Sequence, residues 1–505
     1  MKRLSVLVFA CIACCSLYGQ NDSAYNYTYG GIQDDVCSQI KATYDGGYIM
    51  IGTTNSFGCG YTDFYAVKVD SLGRHQWSRT YGGSQIQEGF SVAPTSDHGY
   101  VFVGFTDSYG AGGYDVFMVK VDSTGKEEWE RTYGGSNWDF GYSVQQLPDK
   151  GFVICGLTYS FGAGNGDVYI IRTDSNGAAI WTQTAGGANY GIGNSITVVN
   201  DSLYAIVGNT TSMGLGDTNA YFIMVDGKGN IVKDTTYGST HSNIGNSINK
   251  TIDHGFIIFG ATDSIQPGKP DEMLIKTDSI GDLQWMQVYH SGGNSVGHDV
   301  IEASDGSYLA VSTSNSYGWG GYAMRVWHIN AGGTPLCGPS FGGAEDEQGV
   351  SVAIAKNGSV AFAGSTNSEG YTEGLNDAYM VRMQNDSVIN IVNFFTLPYY
   401  EYKDTCLCII NSVFPVAFHP GVNIFPNPVR SSATILVQGE LNVHYTYSLY
   451  NIAGESIIKG VPLKSIAHGQ YVSYFERGSL AVGMYVYEIY NQAGAIVSTG
   501  KIIVE

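Results

Sequence analysis

The chain has 505 residues, of which 68 are Gly and 37 are Tyr, and only 14% are charged. Its 45 Asp and Glu outnumber 25 Lys and Arg, for a net charge of −20 at pH 7. This acidic balance excludes proteins that bind nucleic acid or anionic membranes through basic patches. Abundant Gly and Tyr with few charges are typical of a turn-rich, extracellular all-β protein.

The N-terminus predicts export. Lys2-Arg3 precede an apolar stretch from Leu4 to Cys15, so residues 1–19 are expected to be a secretory signal peptide. A lipoprotein signal using Cys14 or Cys15 is the alternative. No other apolar stretch is long enough for a transmembrane segment. We therefore expect an extracellular location or one on the outer-membrane surface.

A period of 52 residues organises the chain from Tyr29 to Phe341 and defines seven units, mostly opening on Tyr-Gly-Gly. One position of this period is serine in all seven units: Ser56, Ser108, Ser160, Ser212, Ser264, Ser316 and Ser368. A fixed period of this size indicates a repeat architecture, in which each unit covers the apolar faces of its neighbours.

Each unit has the pattern of four short strands. In the second unit, apolar runs begin at Phe90, Tyr100 and Val116, a more polar one begins at Lys126, and Gly-rich turns separate them. Seven four-stranded antiparallel sheets predict a seven-bladed β-propeller over residues 25–395. An open β-solenoid is the alternative. The segment from Tyr25 is expected to close the ring by joining the last blade, with a fourth strand near Val388.

The hairpin between the third and fourth strands reads Asp-Ser-x-Gly-x-x-x-Trp in units ending at Trp77, Trp129, Trp181 and Trp285. This resembles the tryptophan-docking repeats of quinoprotein-like propellers and, more loosely, the Asp-box repeats of sialidases. The units are longer than in either family, and Lys233 and Cys337 replace the Trp. The resemblance therefore implies propeller geometry and does not carry over a quinone cofactor or a glycosidase activity to this chain.

The period ends before residues 396–421, which contain Pro398, Pro415 and Pro420 and are predicted to be a linker. Residues 422–505 contain the motifs Ile424-Phe-Pro-Asn-Pro, Leu449-Tyr-Asn-Ile-Ala-Gly and Leu480-Ala-Val-Gly-Met-Tyr. They resemble the type A C-terminal sorting domain of the type IX secretion system of Bacteroidota. The resemblance implies an immunoglobulin-like β-sandwich, recognition by that machinery as partner, and export across the outer membrane.

Two cysteines depart from the repeat within one unit. Cys37 stands where the other six units have Gly, and Cys59 stands where Ala111 and Ala163 stand in the next two. Both positions belong to the same propeller face, and an oxidising compartment permits disulfides. We therefore expect a Cys37–Cys59 disulfide, although pairing cannot be read from sequence alone.

No cofactor or metal site is predicted. The Asp that opens the third strand could bind Ca²⁺ together with loop carbonyls, but each loop offers one carboxylate and Ca²⁺ takes six or more oxygens. Hydrogen bonding to turn amides is the expected role. This Asp recurs as Asp63, Asp115, Asp167, Asp271 and Asp377.

Residues that vary between units are better candidates for function than residues that repeat. The loops of one face carry four variable aromatics: Trp138, Tyr190, Trp319 and Tyr371. Exposed aromatics bind sugar rings or partner proteins, so these residues form the candidate ligand face, and packing of loop against loop is the alternative.

No catalytic residues are predicted, because no Ser-His-Asp order, His-Glu-x-x-His motif or nucleophile elbow occurs. The sequence favours a non-enzymatic binding or adhesion module for a glycan or protein. The alternative is a secreted polysaccharide hydrolase or lyase that uses the acidic loop residues Asp34, Asp35 and Glu345–Glu347. A surface component with structural function alone is a third reading.

Overall fold

The computed structural model describes residues 5–7, 24–316, 321–368, 375–383, 399–403, 421–425, 430, 432–438, 444–451, 456–467, 470–478, 480–492 and 496–504. Every regular element in these ranges is a β-strand. The chain divides into two compact units, Met1–Ile410 and Asn411–Glu505. Each unit is described by itself.

The first unit contains seven antiparallel sheets, which confirms the predicted seven-bladed propeller. The first strand of each blade contacts that of the next, and the first strand of blade seven contacts that of blade one. The sheets therefore form a closed ring. Blade one consists of Asp35–Ala42, Tyr48–Thr54, Asp63–Val69 and His75–Tyr81. Blade two consists of Gln87–Pro94, Tyr100–Thr106, Asp115–Val121 and Glu127–Tyr133. Blade three consists of Asp139–Gln146, Phe152–Thr158, Asp167–Thr173 and Ala179–Ala185.

The remaining blades repeat the pattern with additions at their outer edges. Ser5–Leu7 pairs parallel to the fourth strand of blade five. In blade six, both Pro335–Cys337 and Ser340–Phe341 pair with the third strand. Blade four consists of Gly191–Asn200, Leu203–Thr210, Asn219–Asp226 and Ile231–Tyr237, and blade five of Asn243–Lys250, Phe256–Gln266, Lys269–Thr277 and Leu283–Tyr289. Blade six consists of Ser295–Glu302, Tyr308–Ser314, Ala323–Ile329, Pro335–Cys337 and Ser340–Phe341. The first three strands of blade seven are Glu347–Ile354, Val360–Thr366 and Asp377–Met383.

Burial within a blade follows the hydrophobic pattern of the sequence. In blade two, every residue of Tyr100–Thr106 and Asp115–Val121 is buried, because neighbouring blades cover both faces of these strands. The fourth strand Glu127–Tyr133 is largely exposed at the outer edge, which explains its polar composition. The core therefore lies between the blades.

Conserved side chains of the repeat join each blade to the next. The Tyr81 hydroxyl donates a 2.7 Å hydrogen bond to the Gly125 carbonyl, and the Trp77 indole N–H donates a 3.2 Å hydrogen bond to the Ser123 carbonyl. Tyr29 bonds in the same way to the Gly73 carbonyl, at 2.8 Å, and so joins blade seven to blade one. The periodic Tyr and Trp therefore hold the ring together.

The ring is closed by the N-terminal strand. Ala24–Gly30 pairs antiparallel with Asp377–Met383 and provides the fourth strand of blade seven, as expected for the segment from Tyr25. The expectation that a strand near Val388 fills this place is wrong, because Ala24–Gly30 occupies it; Val388 itself lies outside the described residues. Tyr399–Lys403, within the predicted linker, pairs parallel to Ala24–Gly30 as a fifth strand.

The second unit consists of two four-stranded antiparallel sheets, which confirms the predicted β-sandwich. Side chains from both sheets, including Ile435, Phe475, Leu449 and Ile489, share one buried core. In order across each sheet, the strands are Gly421–Phe425, Ser432–Gln438, Gln470–Glu476 and Lys464–Ala467; Ser456–Pro462, Thr446–Asn451, Gly483–Tyr490 and Ile496–Val504.

Candidate functional site

The loop-rich face of the propeller is formed by the Tyr-Gly-Gly turns and the Gly-rich loops, and the invariant serine holds these two sets of loops together. In blade three, the Ser160 hydroxyl donates to Asp139 Oδ2 at 2.6 Å and accepts the Asn137 N–H at 3.0 Å. The equivalent serine accepts the equivalent N–H in blades one, two, four, six and seven. The invariant serine is therefore a structural residue of the loops.

Two of the acidic residues considered for catalysis belong to this structural network. Asp35 is fully buried and accepts hydrogen bonds from Ser56, Thr54 and the Gly31 N–H. Glu347 is 1% exposed and is bonded in the same way to Ser368, Thr366 and the Gly343 N–H. Burial raises the pKa of both carboxyl groups, and these hydrogen bonds oppose the rise.

The neighbouring acidic residues also hold loops. Asp34 accepts a 2.6 Å hydrogen bond from the Asn376 amide, and Asp346 accepts one of 2.6 Å from the Tyr322 N–H. Glu345 bonds to Ser368 through its backbone N–H at 3.1 Å. All three residues are therefore engaged in contacts within the protein that hold its loops.

The Asp that opens the third strand accepts amide hydrogen bonds within the Gly-rich loop. Asp63 Oδ2 accepts the N–H groups of Cys59 and Gly60 at 2.8 and 3.0 Å, and Asp115 Oδ2 accepts that of Ala111 at 2.9 Å. Within the described ranges, no three His, Cys, Asp or Glu side chains are grouped so as to hold a metal ion. These contacts are those of a turn-capping residue.

Of the four variable aromatics, Trp138 and Tyr190 lie on the loop-rich face, and Trp319 and Tyr371 lie outside the described residues. The Trp138 side chain is 55% exposed. It packs against the neighbouring Gly-rich loop, where a Cβ on Gly113 would come within 2.3 Å of the indole Cδ1. A residue with a side chain at position 113 would displace the tryptophan.

Trp138 and Tyr190 belong to a larger group of rings, here named the aromatic band. Trp138 is 5.8 Å from Tyr114 and 6.2 Å from Tyr159 between ring centroids, and Tyr159 is close enough to Tyr190 to contribute to the raised pKa of the Tyr190 phenol. Toward the axis, Phe105 lies 4.7 Å from Tyr114 and 5.1 Å from Phe140. The complete band is Phe90, Phe105, Tyr114, Trp138, Phe140, Tyr142, Tyr159 and Tyr190.

The aromatic band interrupts the repeat. Blades two and three carry seven of the eight rings, and blade four carries Tyr190, at positions where the other blades mostly have smaller or polar residues. At the Tyr159 position the others have Asn55, Asp107, Thr211, Asp263, Asn315 and Asn367. At the Phe105 position they have Thr53, Leu157, Asn209, Ala261, Thr313 and Ser365. Because blades fold without these rings, blade construction alone does not account for the band.

The aromatic band also has polar groups. Burial, chiefly, raises the pKa of Tyr142, and the nearby groups Tyr190, Tyr159 and Glu88 add to the rise. Burial likewise raises the pKa of Tyr190 to about 12, so both phenols are neutral hydrogen-bonding groups at pH 7. Glu88 lies directly opposite Phe105 across the first and second strands of blade two. Desolvation by burial raises the pKa of this half-buried carboxyl group.

The axis of the propeller holds a polar cavity of about 130 Å³, lined by the first strands of all seven blades. A belt of hydrogen bonds between blades surrounds it. The Ser143 hydroxyl accepts the Ile196 N–H at 3.2 Å, and Asp299 accepts the Ser247 and Ser351 hydroxyls at 2.7 and 2.9 Å. Much of the polar lining therefore serves to join blades.

The predicted Cys37–Cys59 disulfide is wrong. Cys37 is a free thiol, 4% exposed, and packs in the core between blades one and seven. Cys59 is disulfide-bonded and lies in the exposed Gly-rich loop, and its partner lies outside the described residues. The two cysteines share a propeller face, but the Cys37 side chain points into the core.

Sequence reasoning found Trp138 and Tyr190 but missed the rest of the aromatic band and Glu88. Trp138 and Tyr190 lie in loops, whereas Phe90, Phe140 and Tyr142 lie in the first strands of blades two and three, where apolar residues are expected to form the core. The sequence does contain a signal for these residues: when the seven units are aligned at each of the 52 positions, the positions at which one blade differs from the others become visible.

The fold and the C-terminal residues define the class: this is an exported β-propeller protein with a C-terminal sorting domain. Residues 423–505 match the family model of the secretion system C-terminal sorting domain, that of type IX secretion. Proteins with this domain are secreted to the cell surface or the extracellular space, and this chain shares that destination. Of the residues described, none forms a helix long and apolar enough to cross a membrane.

Solved structures with similar folds are distant in sequence. A protein of unknown function from Dyadobacter fermentans DSM 18053 is 11% identical, covering 72% of this chain and 98% of that chain, with a TM-score of 0.41. Sqt1 from Chaetomium thermophilum is 12% identical over 72% and 99%, with a TM-score of 0.37. A mutant puromycin hydrolase complexed with PGG is 12% identical over 80% and 59%, with a TM-score of 0.45. No curated protein matches the chain.

Proposed function

We propose that this protein is a non-enzymatic binding module that the type IX machinery delivers to the cell exterior, and that its propeller binds a carbohydrate on the aromatic band. The observation that carries the proposal is the band itself: eight rings on blades two to four, at positions that the other blades mostly fill with smaller or polar side chains. A departure confined to one part of a repeat is expected where a ligand binds.

The chemistry of the aromatic band favours carbohydrate. Trp138 and Tyr159 are 55% and 40% exposed and offer flat apolar surfaces on which sugar rings stack. Tyr142 and Tyr190 add neutral hydroxyl groups that can hydrogen-bond to sugar hydroxyls. The net charge of −20 disfavours strongly acidic polysaccharides. Neutral or cationic glycans therefore suit this surface best.

The contacts of the acidic loop residues support binding over catalysis. A glycosidase needs two carboxyl groups that flank a substrate. Asp35 and Glu347 are enclosed by hydrogen bonds from the protein, and Asp34 and Asp346 each hold a loop. Recruiting these groups for catalysis would remove hydrogen bonds that hold the loops of blades one and seven.

A panel of neutral, acidic and amino polysaccharides and mucins tests the proposal. The secreted protein is incubated with each immobilised polymer and assayed for retained protein and for released reducing or unsaturated ends. We expect retention on at least one neutral or amino polysaccharide, without product. Release of product would contradict the non-enzymatic proposal, and retention on mucin that survives deglycosylation would point to a protein ligand.

A further inference from the structure

One carboxylate of blades two and three stands apart from the others on the loop-rich face. Asp107, Asp115 and Asp139 all accept hydrogen bonds from backbone N–H groups of their loops, at 2.6, 2.9 and 2.8 Å. The Glu88 carboxylate has no hydrogen bond or ion pair with any described residue, although it is half-buried. Such a carboxylate loses hydration without receiving a protein partner in exchange.

The surroundings of Glu88 are apolar and aromatic. Its direct cross-strand partner is Phe105, so the two side chains share one face of the sheet. Phe105 lies 5.8 Å from Phe90 and 5.1 Å from Phe140 between ring centroids. At the Glu88 position the other blades have no charged residue: Val36, Phe140, Ile192, Ile244, Val296 and Gln348. A single negative charge therefore lies beside aromatic rings.

A cation complements this arrangement in two ways. It would form a charge-assisted hydrogen bond with the carboxylate, and the electron-rich faces of neighbouring rings attract positive charge. The negative charge of the whole chain acts in the same direction by attracting cations toward the surface. An ammonium group on a sugar ring combines this charge with a ring that stacks on aromatic side chains.

We propose that Glu88 binds the protonated amine of an amino sugar, so that the aromatic band recognises glycans with free amino groups. This assignment rests on the carbohydrate-binding function proposed above and narrows its ligand class. Trp138 and Tyr159 would hold neighbouring sugar rings by stacking, and Glu88 would distinguish the free amine from its neutral N-acetyl form.

Titration calorimetry of the secreted protein with two matched probes tests the assignment. The probes are the β-1,4-linked tetramer of glucosamine and the tetramer of N-acetylglucosamine, at pH 6 and low salt. A charge-assisted hydrogen bond predicts that the amine form binds roughly tenfold more tightly or better. In Glu88→Gln we expect the two tetramers to bind within about twofold of each other, because the amide keeps the shape and removes the charge.

The matched control is Glu130→Gln, which also removes one negative charge, but from the exposed fourth strand of blade two. This variant should still prefer the glucosamine tetramer to the N-acetylglucosamine tetramer. Equal binding of both tetramers by the wild-type protein, or an unchanged preference in Glu88→Gln, would overturn the role of Glu88 and leave the carbohydrate-binding function standing. If tetralysine binds while both tetramers and the polysaccharide panel fail, the carbohydrate-binding function itself is overturned. Melting temperatures of both variants verify that they are folded.

Discussion

At the residue scale, burial and hydrogen bonding distinguish side chains that stabilise the loops from side chains that are candidates for ligand binding. Ser160 and Asp139 bond to each other and to the loop backbone, so their recurrence follows from loop construction. Trp138 is exposed, and among its counterparts only Tyr190 of blade four is also aromatic; the Glu88 carboxylate has no hydrogen bond or ion pair with the described residues. Loop construction therefore explains the repeated polar residues, and the residues that differ between blades are the candidates for ligand binding.

Cys37 provides a test at this scale. Its thiol is buried, and desolvation raises its pKa to about 12, so it remains protonated and inaccessible in the folded protein at pH 8. We expect iodoacetamide to leave Cys37 unmodified in the native protein and to modify it after unfolding, as read by peptide mass mapping. Cys59 should become reactive only after reduction.

Two results of this labelling would contradict the structure. The first is rapid modification of Cys37 in the native protein. The second is a disulfide-linked peptide pair containing Cys37 and Cys59. The first result would contradict the burial of the Cys37 thiol, and the second would restore the pairing expected from the sequence.

At the element scale, each loop of the binding face depends on a serine in the neighbouring loop. Ser160 lies just after the second strand of blade three and fixes the turn that carries Trp138, through the Asn137 N–H and Asp139. The position of Trp138 is therefore linked to the stability of the turn that Ser160 holds.

Replacement of Ser160 by Ala tests this link. The change leaves an N–H and a carboxylate oxygen without their partner, which costs about 1–3 kcal/mol of unfolding free energy. We expect a lower urea midpoint and weaker glycan binding. The control is Ser136→Ala in the same turn, since the Ser136 side chain is exposed and has no hydrogen bond to the described residues. Equal effects of both variants would show that Ser160 has no special role.

Much of the element pattern could be predicted because it follows from local chemistry. The period, the turn residues and the apolar runs each report on one blade, so strand number and order were confirmed. The occupant of the last fourth-strand place could not be read locally. Ala24–Gly30 and the segment near Val388 both have strand-like composition, and the choice depends on contacts across the whole ring.

At the scale of the whole molecule, the ring supplies a rigid frame and the C-terminal unit supplies the destination. Seven blades are joined by periodic tyrosines and by the N-terminal strand, so the loops of blades two and three are held on a fixed support. The sorting domain could be predicted because its motifs are specific. The aromatic band could be predicted only in part, because it depends on rings from successive blades that meet in space.

The most direct test of the central claim is calorimetric titration of the best-retained glycan from the panel into wild type, Trp138→Ala and Tyr61→Ala. Tyr61 is the matched control, being 72% exposed on the same face but outside the aromatic band. We predict that Trp138→Ala weakens binding by about 2 kcal/mol, the loss expected for a central aromatic contact, and that Tyr61→Ala binds as wild type. Unchanged affinity in Trp138→Ala would contradict carbohydrate binding on the aromatic band.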